Sequence, residues 1–212
     1  AAPVNYPHIW STSWFDWVQY DASIMQPMIR NAGEALGVSA RINLVKEHNL
    51  YASSVQVAEV FHMEELLAGP DPLRERKFGG LTAPEWPEKI LGKIKPQKAA
   101  AGRALYAERC AGCHGPAPDS AAFWSDAFWK PIPGANGRYM DLKVIPQKKI
   151  GTDPAQSNIL HERTVALPKL LDVPDPTVSG GVICGGANGT VTEETSFAWA
   201  LAYVVERAVE HW

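Results

Sequence analysis

Cys110-Ala111-Gly112-Cys113-His114 is the stretch on which the reading of this chain turns. The spacing C-x-x-C-H is the attachment pattern of a covalently bound c-type haem. Two thiols separated by two residues reach the two vinyl groups of one porphyrin and form a thioether with each. The next residue then offers its imidazole beneath the porphyrin plane, as proximal ligand of the iron. The chain holds 3 Cys and 6 His in 212 residues, so composition alone would produce the pattern in roughly one such chain in a thousand. A thioredoxin-like redox pair does not require the following His. A zinc site requires a second Cys/His pair at zinc spacing, and the sequence has none. The expectation is one covalent haem c on Cys110 and Cys113, with His114 on the iron.

Working outward, residues 97–109 are good helix formers, and Ala101, Leu105 and Tyr106 lie near one face. Residues 195–212 give the strongest helical pattern, with Phe197, Trp199, Leu201, Val204, Val205, Ala208 and Val209. Small Gly102 and Tyr106 would let the first of these helices cross closely against Trp199 and Tyr203 on the last. Crossed terminal helices around a haem are similar to class I cytochromes c, a fold-level analogy. The segment between them is rich in proline, from Pro116 and Pro118 through Pro131, Pro133, Pro146, Pro154, Pro168, Pro174 and Pro176. Such a loop-rich interior suits a domain in which a large apolar cofactor serves as the core.

Upstream, the chain opens aromatic-rich, with Tyr6, Trp10, Trp14, Phe15, Trp17 and Tyr20. Helices are expected over 24–36, closed by Gly37, and over 55–67, stopped by Gly69-Pro70. Residues 38–45 read as extended, with poor alternation. Pro70, Pro72, Gly79-Gly80, Pro84, Pro87 and Gly92 punctuate a connector that is the best candidate boundary. The expected fold is mainly α and loop-rich: an N-terminal helical extension over 1–95 and a cytochrome c-like haem domain over 96–212.

Composition narrows the function class. At 46% hydrophobic and 20% charged the chain is ordinary globular material, and a formal net charge of -3 argues against nucleic acid as a partner. No apolar run is long enough to span a bilayer. The first residues, Ala1-Ala2-Pro3-Val4-Asn5, lack the basic and apolar regions of a secretory signal. Because covalent haem attachment in bacteria occurs outside the inner membrane, a mature periplasmic or otherwise exported product is expected. With two cysteines on haem, Cys184 is left without a disulfide partner and reads as a small buried or inert thiol. Its flank of Gly180, Gly181, Gly185, Gly186 and Gly189 is neither a P-loop nor a dinucleotide fingerprint, and reads as a turn. Asn188-Gly189-Thr190 reads as a turn as well.

Beyond the haem motif, a series of short stretches extends the pattern: Asp16-Trp17-Val18-Gln19-Tyr20, Pro27, Arg30-Asn31-Ala32-Gly33-Glu34-Ala35-Leu36-Gly37-Val38 and Glu64-Glu65-Leu66. It continues through Pro84-Glu85-Trp86-Pro87, Gly102-Arg103-Ala104-Leu105-Tyr106, Val144-Ile145-Pro146 and Ile150-Gly151-Thr152-Asp153-Pro154. On these residues the chain resembles the exported dihaem cytochrome c peroxidase-like proteins that include the rubber oxygenases. The order of motifs matches the middle and later part of such a protein, beginning after its first haem. Family members carry two C-x-x-C-H sites, and this chain has one. Their usual C-terminal segment is not recognisable here. By position His114 matches the later, six-coordinate companion haem, not the one that binds oxygen. The resemblance therefore implies electron transfer more readily than oxygen chemistry.

The sixth iron position decides between these, since a Met ligand raises the potential, a His ligand lowers it, and an open site admits oxygen or peroxide. His161, between the haem motif and the last helix, is the first candidate, and Met140 the second; a solvated loop His and a packing Met are the bland alternatives. His211 reads as a solvated helix-end residue. His8, His48, His62, Met25, Met28 and Met63 are further candidates, with His62-Met63 the best placed. A ligand from a segment or partner chain outside this sequence is also allowed. Trp124, Phe128 and Trp129 read as core packing ahead of an electron path. Lys89, Lys93, Lys95 and Lys98 read as a solvated face ahead of a docking site for an acidic partner. Glu34, Glu64 and Glu65 are acid-base candidates with nothing to place them over the iron.

The first functional expectation is a c-type cytochrome that transfers electrons to a redox partner protein. The second is a haem-dependent peroxidase or oxygenase with an open distal site. The third is a non-catalytic part of a multihaem assembly, paired with a second haem-bearing subunit. The missing first haem site favours the first and third, so the chain by itself is read as leaning away from an enzyme.

Overall fold

A computed structural model of the chain describes residues 8–132, 137–176 and 191–210. Tyr6, Pro133, Cys184 with its glycine flank, the Asn188-Gly189-Thr190 turn, His211 and Trp212 lie outside the described residues. Within them the protein is mainly helical, with two small two-stranded antiparallel sheets. The helices are α1 (Pro27–Val38), α2 (Val57–Ala68), α3 (Pro72–Glu75), α4 (Glu88–Leu91), α5 (Pro96–Arg109), α6 (Ala111–His114), α7 (Gln147–Ile150), α8 (Ala155–Glu162) and α9 (Phe197–Glu210). Strand β1 (Trp129–Pro131) pairs with β2 (Arg138–Met140), and β3 (Thr164–Ala166) pairs with β4 (Glu194–Ser196). No helix among the described residues is long and apolar enough to cross a membrane.

The helix ends follow local chemistry. Pro27 occupies the first turn of α1, where its missing N–H costs nothing, and the Gln26 side chain accepts from the N–H of Met28 at 2.8 Å and of Ile29 at 3.3 Å. The helix therefore begins at Pro27, later than expected, and runs through Gly37 to Val38. Helix α2 stops where Gly69 turns at φ +67°. A Cβ on Gly69 would lie 2.5 Å from the Gly80 nitrogen, so the two backbones meet only because both residues are glycine. Residues 38–45 supply a single bridge, Ile42 to Ser53. The first residues expected in the last helix, Thr195 and Ser196, belong to β4.

The chain divides into two compact units at residues 16/17, 64/65 and 146/147, where the sequence suggested a cut near residue 95. One unit comprises residues 17–64 and 147 onward. Its core forms where α9 packs on α1, with Ala32, Val55, Val57 and Val205 buried together. At Gly33 on α1 an added Cβ would meet Val205 on α9 at 3.5 Å, an ordinary van der Waals contact. A second cluster joins Tyr51, Leu171, Val173 and Tyr203. The Tyr51 hydroxyl donates to the Leu171 carbonyl, and the Trp199 indole N–H donates to the Pro174 carbonyl at 2.7 Å.

The other unit comprises residues 8–16 and 65–146, and holds the C-x-x-C-H stretch. Its core is aromatic: Phe123 and Trp129 are buried with Met140, and Trp14, Phe15, Phe78, Trp124 and Phe128 surround them. Trp129 is fully buried, donates its indole N–H to the Phe123 carbonyl at 2.9 Å, and stacks on Trp124 at 6.1 Å. Gly102 on α5, expected at a helix crossing, has open space within 4 Å of its Cβ direction. Tyr203 is engaged with Tyr51 and Leu171 in its own unit. Within its own unit α9 packs its broad apolar face on α1, and α5, rich in alanine, buries none of its residues.

Candidate functional site

Helix α5 leads into the Cys110–His114 stretch. Its last turn closes when the Cys110 N–H donates to the Tyr106 carbonyl at 2.9 Å, and α6 continues from there. The Cys110 carbonyl accepts from Cys113 N–H at 3.0 Å and from His114 N–H at 2.9 Å. One helical turn thus joins the three residues at spacings i, i+3 and i+4, which share a face of a helix. Cys110 is half-buried, Cys113 and His114 are exposed, and both thiols are free.

The turn is braced from behind. Gly115 ends α6 at φ 80°, ψ 175°, a conformation essentially confined to glycine, and its Cβ direction meets the Phe128 ring at 3.0 Å. The Tyr106 hydroxyl donates to the Gly115 carbonyl at 2.9 Å. One turn earlier on α5, Arg103 pairs with Asp119 at 2.5 Å. The hydrogen bond from Arg103 holds the Asp119 carboxyl below the usual carboxylate range, and the same bond raises Arg103. Arg103 and Tyr106, at i and i+3, therefore clamp the loop that follows the motif onto α5. On the other side, the Lys143 ammonium donates to the Gly112 carbonyl at 2.6 Å. The aromatic core reaches the motif through Phe128, which packs on both Phe123 and the Gly115 position.

The structure gathers Cys110, Cys113 and His114 on one turn and sends the other candidates elsewhere. Met140 is 3% exposed inside the aromatic core, paired in register with Trp129. His161 is exposed in the last turn of α8, in the other unit. His62 is exposed on α2, His8 sits edge-on to Phe15 at 6.1 Å, and His48 occupies a turn at φ +63°. Met28 packs against α9's partner cluster, whereas Met25 and Met63 are each 54% exposed. Glu34 and Glu65 are exposed. Glu64 is buried, and accepts from Arg30 at 2.8 Å and from Asn31 at 2.6 Å. That ion pair, the Arg103–Tyr106 clamp and the Lys143 contact were missed by sequence reasoning. Only the i, i+3 spacing of Arg103 and Tyr106 could have signalled one of them.

The donor set suits a thioether-linked haem: two accessible thiols and one accessible imidazole on a single turn, with no protein atom within 4 Å of the Cβ direction of Gly112. Cys110 and Cys113 would hold the porphyrin and His114 the iron.

Over 200 residues, 94% of its length, the chain is 48% identical to a protein of Sinorhizobium fredii (strain NBRC 101917 / NGR234) named "Uncharacterized protein y4iJ". The chain spans 33% of that protein's length. No protein-family model matches the chain, and no solved structure matches it.

Proposed function

We propose that this chain is a c-type cytochrome module, related to the dihaem cytochrome c peroxidase-like and rubber oxygenase-like proteins. It carries one haem c and moves electrons within a multihaem assembly or to a redox partner protein. The observation that supports this best is the single turn on which Cys110, Cys113 and His114 share an accessible face. When bound, the haem supplies a one-electron ferric/ferrous couple. The chain's own residues do the positioning. Tyr106 and Phe128 hold Gly115, the residue that follows His114 and ends the turn. Lys143 holds the Gly112 carbonyl, so the backbone between the two thiols keeps its helical form. Met140 is buried in the aromatic core, and His161 stays the first candidate for the distal position. Covalent attachment implies maturation outside the bacterial inner membrane, and hence an exported protein.

The test is expression with a c-type maturation system, followed by haem staining of a denaturing gel and a pyridine haemochrome spectrum. The wild-type chain is expected to retain stain, and the Cys110→Ala/Cys113→Ala variant to lose it. An unstained wild type, or stain kept by the double variant, overturns the haem assignment. Electron transfer predicts a low-spin iron in both oxidation states that does not bind carbon monoxide. A high-spin ferric signal that shifts with cyanide or peroxide would replace it with the peroxidase or oxygenase reading. His161→Ala is expected to convert low-spin iron to high-spin, and an unchanged spectrum would remove His161 from the iron.

A further inference from the structure

The two thiols of the Cys110–His114 turn are not equivalent. Cys110 is half-buried and Cys113 is exposed. The difference follows from their places on the chain. Cys110 closes α5 and opens α6: its N–H donates to the Tyr106 carbonyl at 2.9 Å, and its carbonyl accepts from the N–H groups of both Cys113 and His114. Cys113 lies three residues on, between His114, which is exposed as well, and Gly112, where an added Cβ would meet none of the described residues within 4 Å. Every contact that shapes the turn is made by the protein's own groups. The Tyr106 hydroxyl holds the Gly115 carbonyl at 2.9 Å, the Lys143 ammonium holds the Gly112 carbonyl at 2.6 Å, and Arg103 pairs with Asp119 at 2.5 Å. A reagent arriving from solution therefore meets a shaped turn, with one thiol in front and the other partly covered.

We propose that haem attachment on this turn is ordered, with Cys113 reacting first and Cys110 second. The proposal rests on the haem reading and adds the sequence of bond formation to it. In each step a thiol adds across one vinyl group. An S–C bond and a C–H bond form, the S–H bond and the C=C π bond break, and no electrons are gained or lost. The first step is a capture from solution, and the more accessible thiol wins it. The second step is intramolecular, because the bond at Cys113 already holds the remaining vinyl group to the same turn. Its effective concentration there is far above that of free haem, so the partial burial of Cys110 is overcome by a brief local opening. In the reverse order the covered thiol would have to make the capture, and the exposed one would gain nothing from its exposure.

The test uses the full haem-free chain under reducing conditions. In the first arm the chain meets limiting iodoacetamide, and tandem mass spectrometry locates the label. Cys113 is expected to react about threefold or more faster than Cys110, with the ratio falling towards one in guanidinium, where the turn is lost. In the second arm the Cys110→Ala and Cys113→Ala variants are incubated with ferrous haem, and covalent attachment is followed by haem staining of denaturing gels. Cys110→Ala is expected to attach haem at close to the initial rate of the wild type, and Cys113→Ala severalfold more slowly. Matching guanidinium midpoints check that both variants fold, and the first arm needs no variant at all. Equal or reversed labelling of the folded wild type overturns the proposal, as does a Cys113→Ala variant that keeps pace with Cys110→Ala. Unordered labelling in a chain that takes up haem removes the order alone. Ordered labelling in a chain that takes up no haem, here or with a maturation system, removes the haem reading and the order with it.

Discussion

Gly115→Ala puts the bracing of the Cys110–His114 turn to a direct test. Gly115 adopts φ 80°, ψ 175°, where an L-residue costs about 1–3 kcal/mol. The new Cβ would also lie 3.0 Å from Cε2 and 3.1 Å from Cζ of Phe128, so the ring must give by a few tenths of an ångström. Alanine restricts the unfolded chain, which returns about 0.4–1 kcal/mol. The net expectation is a loss of about 2 kcal/mol, or a drop of about 4–8 °C in midpoint for a chain of this size. Guanidinium unfolding followed by tryptophan fluorescence reads the relevant unit, because Trp124 and Trp129 lie in its core. Repeating the change in a Phe128→Ala background separates the two causes. Removing the ring is expected to recover about 1 kcal/mol and leave the backbone part in place. A Gly115→Ala variant within about 0.5 kcal/mol of wild type would refute the argument. Complete recovery in the Phe128→Ala background would refute the backbone half of it.

Three further outcomes are expected. Burial, with a smaller push from neighbouring Tyr203, raises Tyr51 well above the ordinary tyrosine value of 10.0. Its neutral form is therefore favoured by folding: that stability is complete below pH about 10 and declines as pH rises further. Tyr51→Phe is expected to flatten this alkaline loss in urea midpoints taken from pH about 8 to about 11, leaving only the part due to Tyr203, which burial also raises; an unchanged slope would count against it. Glu64→Ala would leave Arg30 without its partner at a site where the two side chains are 10% and 15% exposed, and should cost about 3 kcal/mol. Arg30→Met/Glu64→Leu is expected to regain most of that in the same unfolding assay, and a double variant as unstable as the single one would contradict it. Met140→Leu, a swap of similar volume inside the aromatic core, should shift stability by less than about 1.5 kcal/mol and leave the haem spectrum unchanged; a spectral change would put Met140 on the iron after all.

Local chemistry was legible in the sequence. The motif turn, the existence of α1, α2, α5 and α9, and the stop at Gly69 all follow from contacts within a few residues: proline at a first turn, periodic apolar positions, glycine where φ is positive. What neighbours what across the chain was not legible. Periodicity gives the width of an apolar face but does not say which other face it meets, and the packing of α9 on α1 is visible only in the fold. The Arg30–Glu64 pair joins two helices through side chains that are ordinary surface types until the fold buries them. Likewise, Met140 has the chemistry of an iron ligand, and only the aromatic core around it removes it from solvent. The sequence by itself determined the spacing of Cys110, Cys113 and His114 on which the haem proposal rests, because that spacing lies within one helical turn. Only the tertiary structure decided what braces that turn and which candidate ligands are accessible, because those depend on burial between residues far apart in the chain.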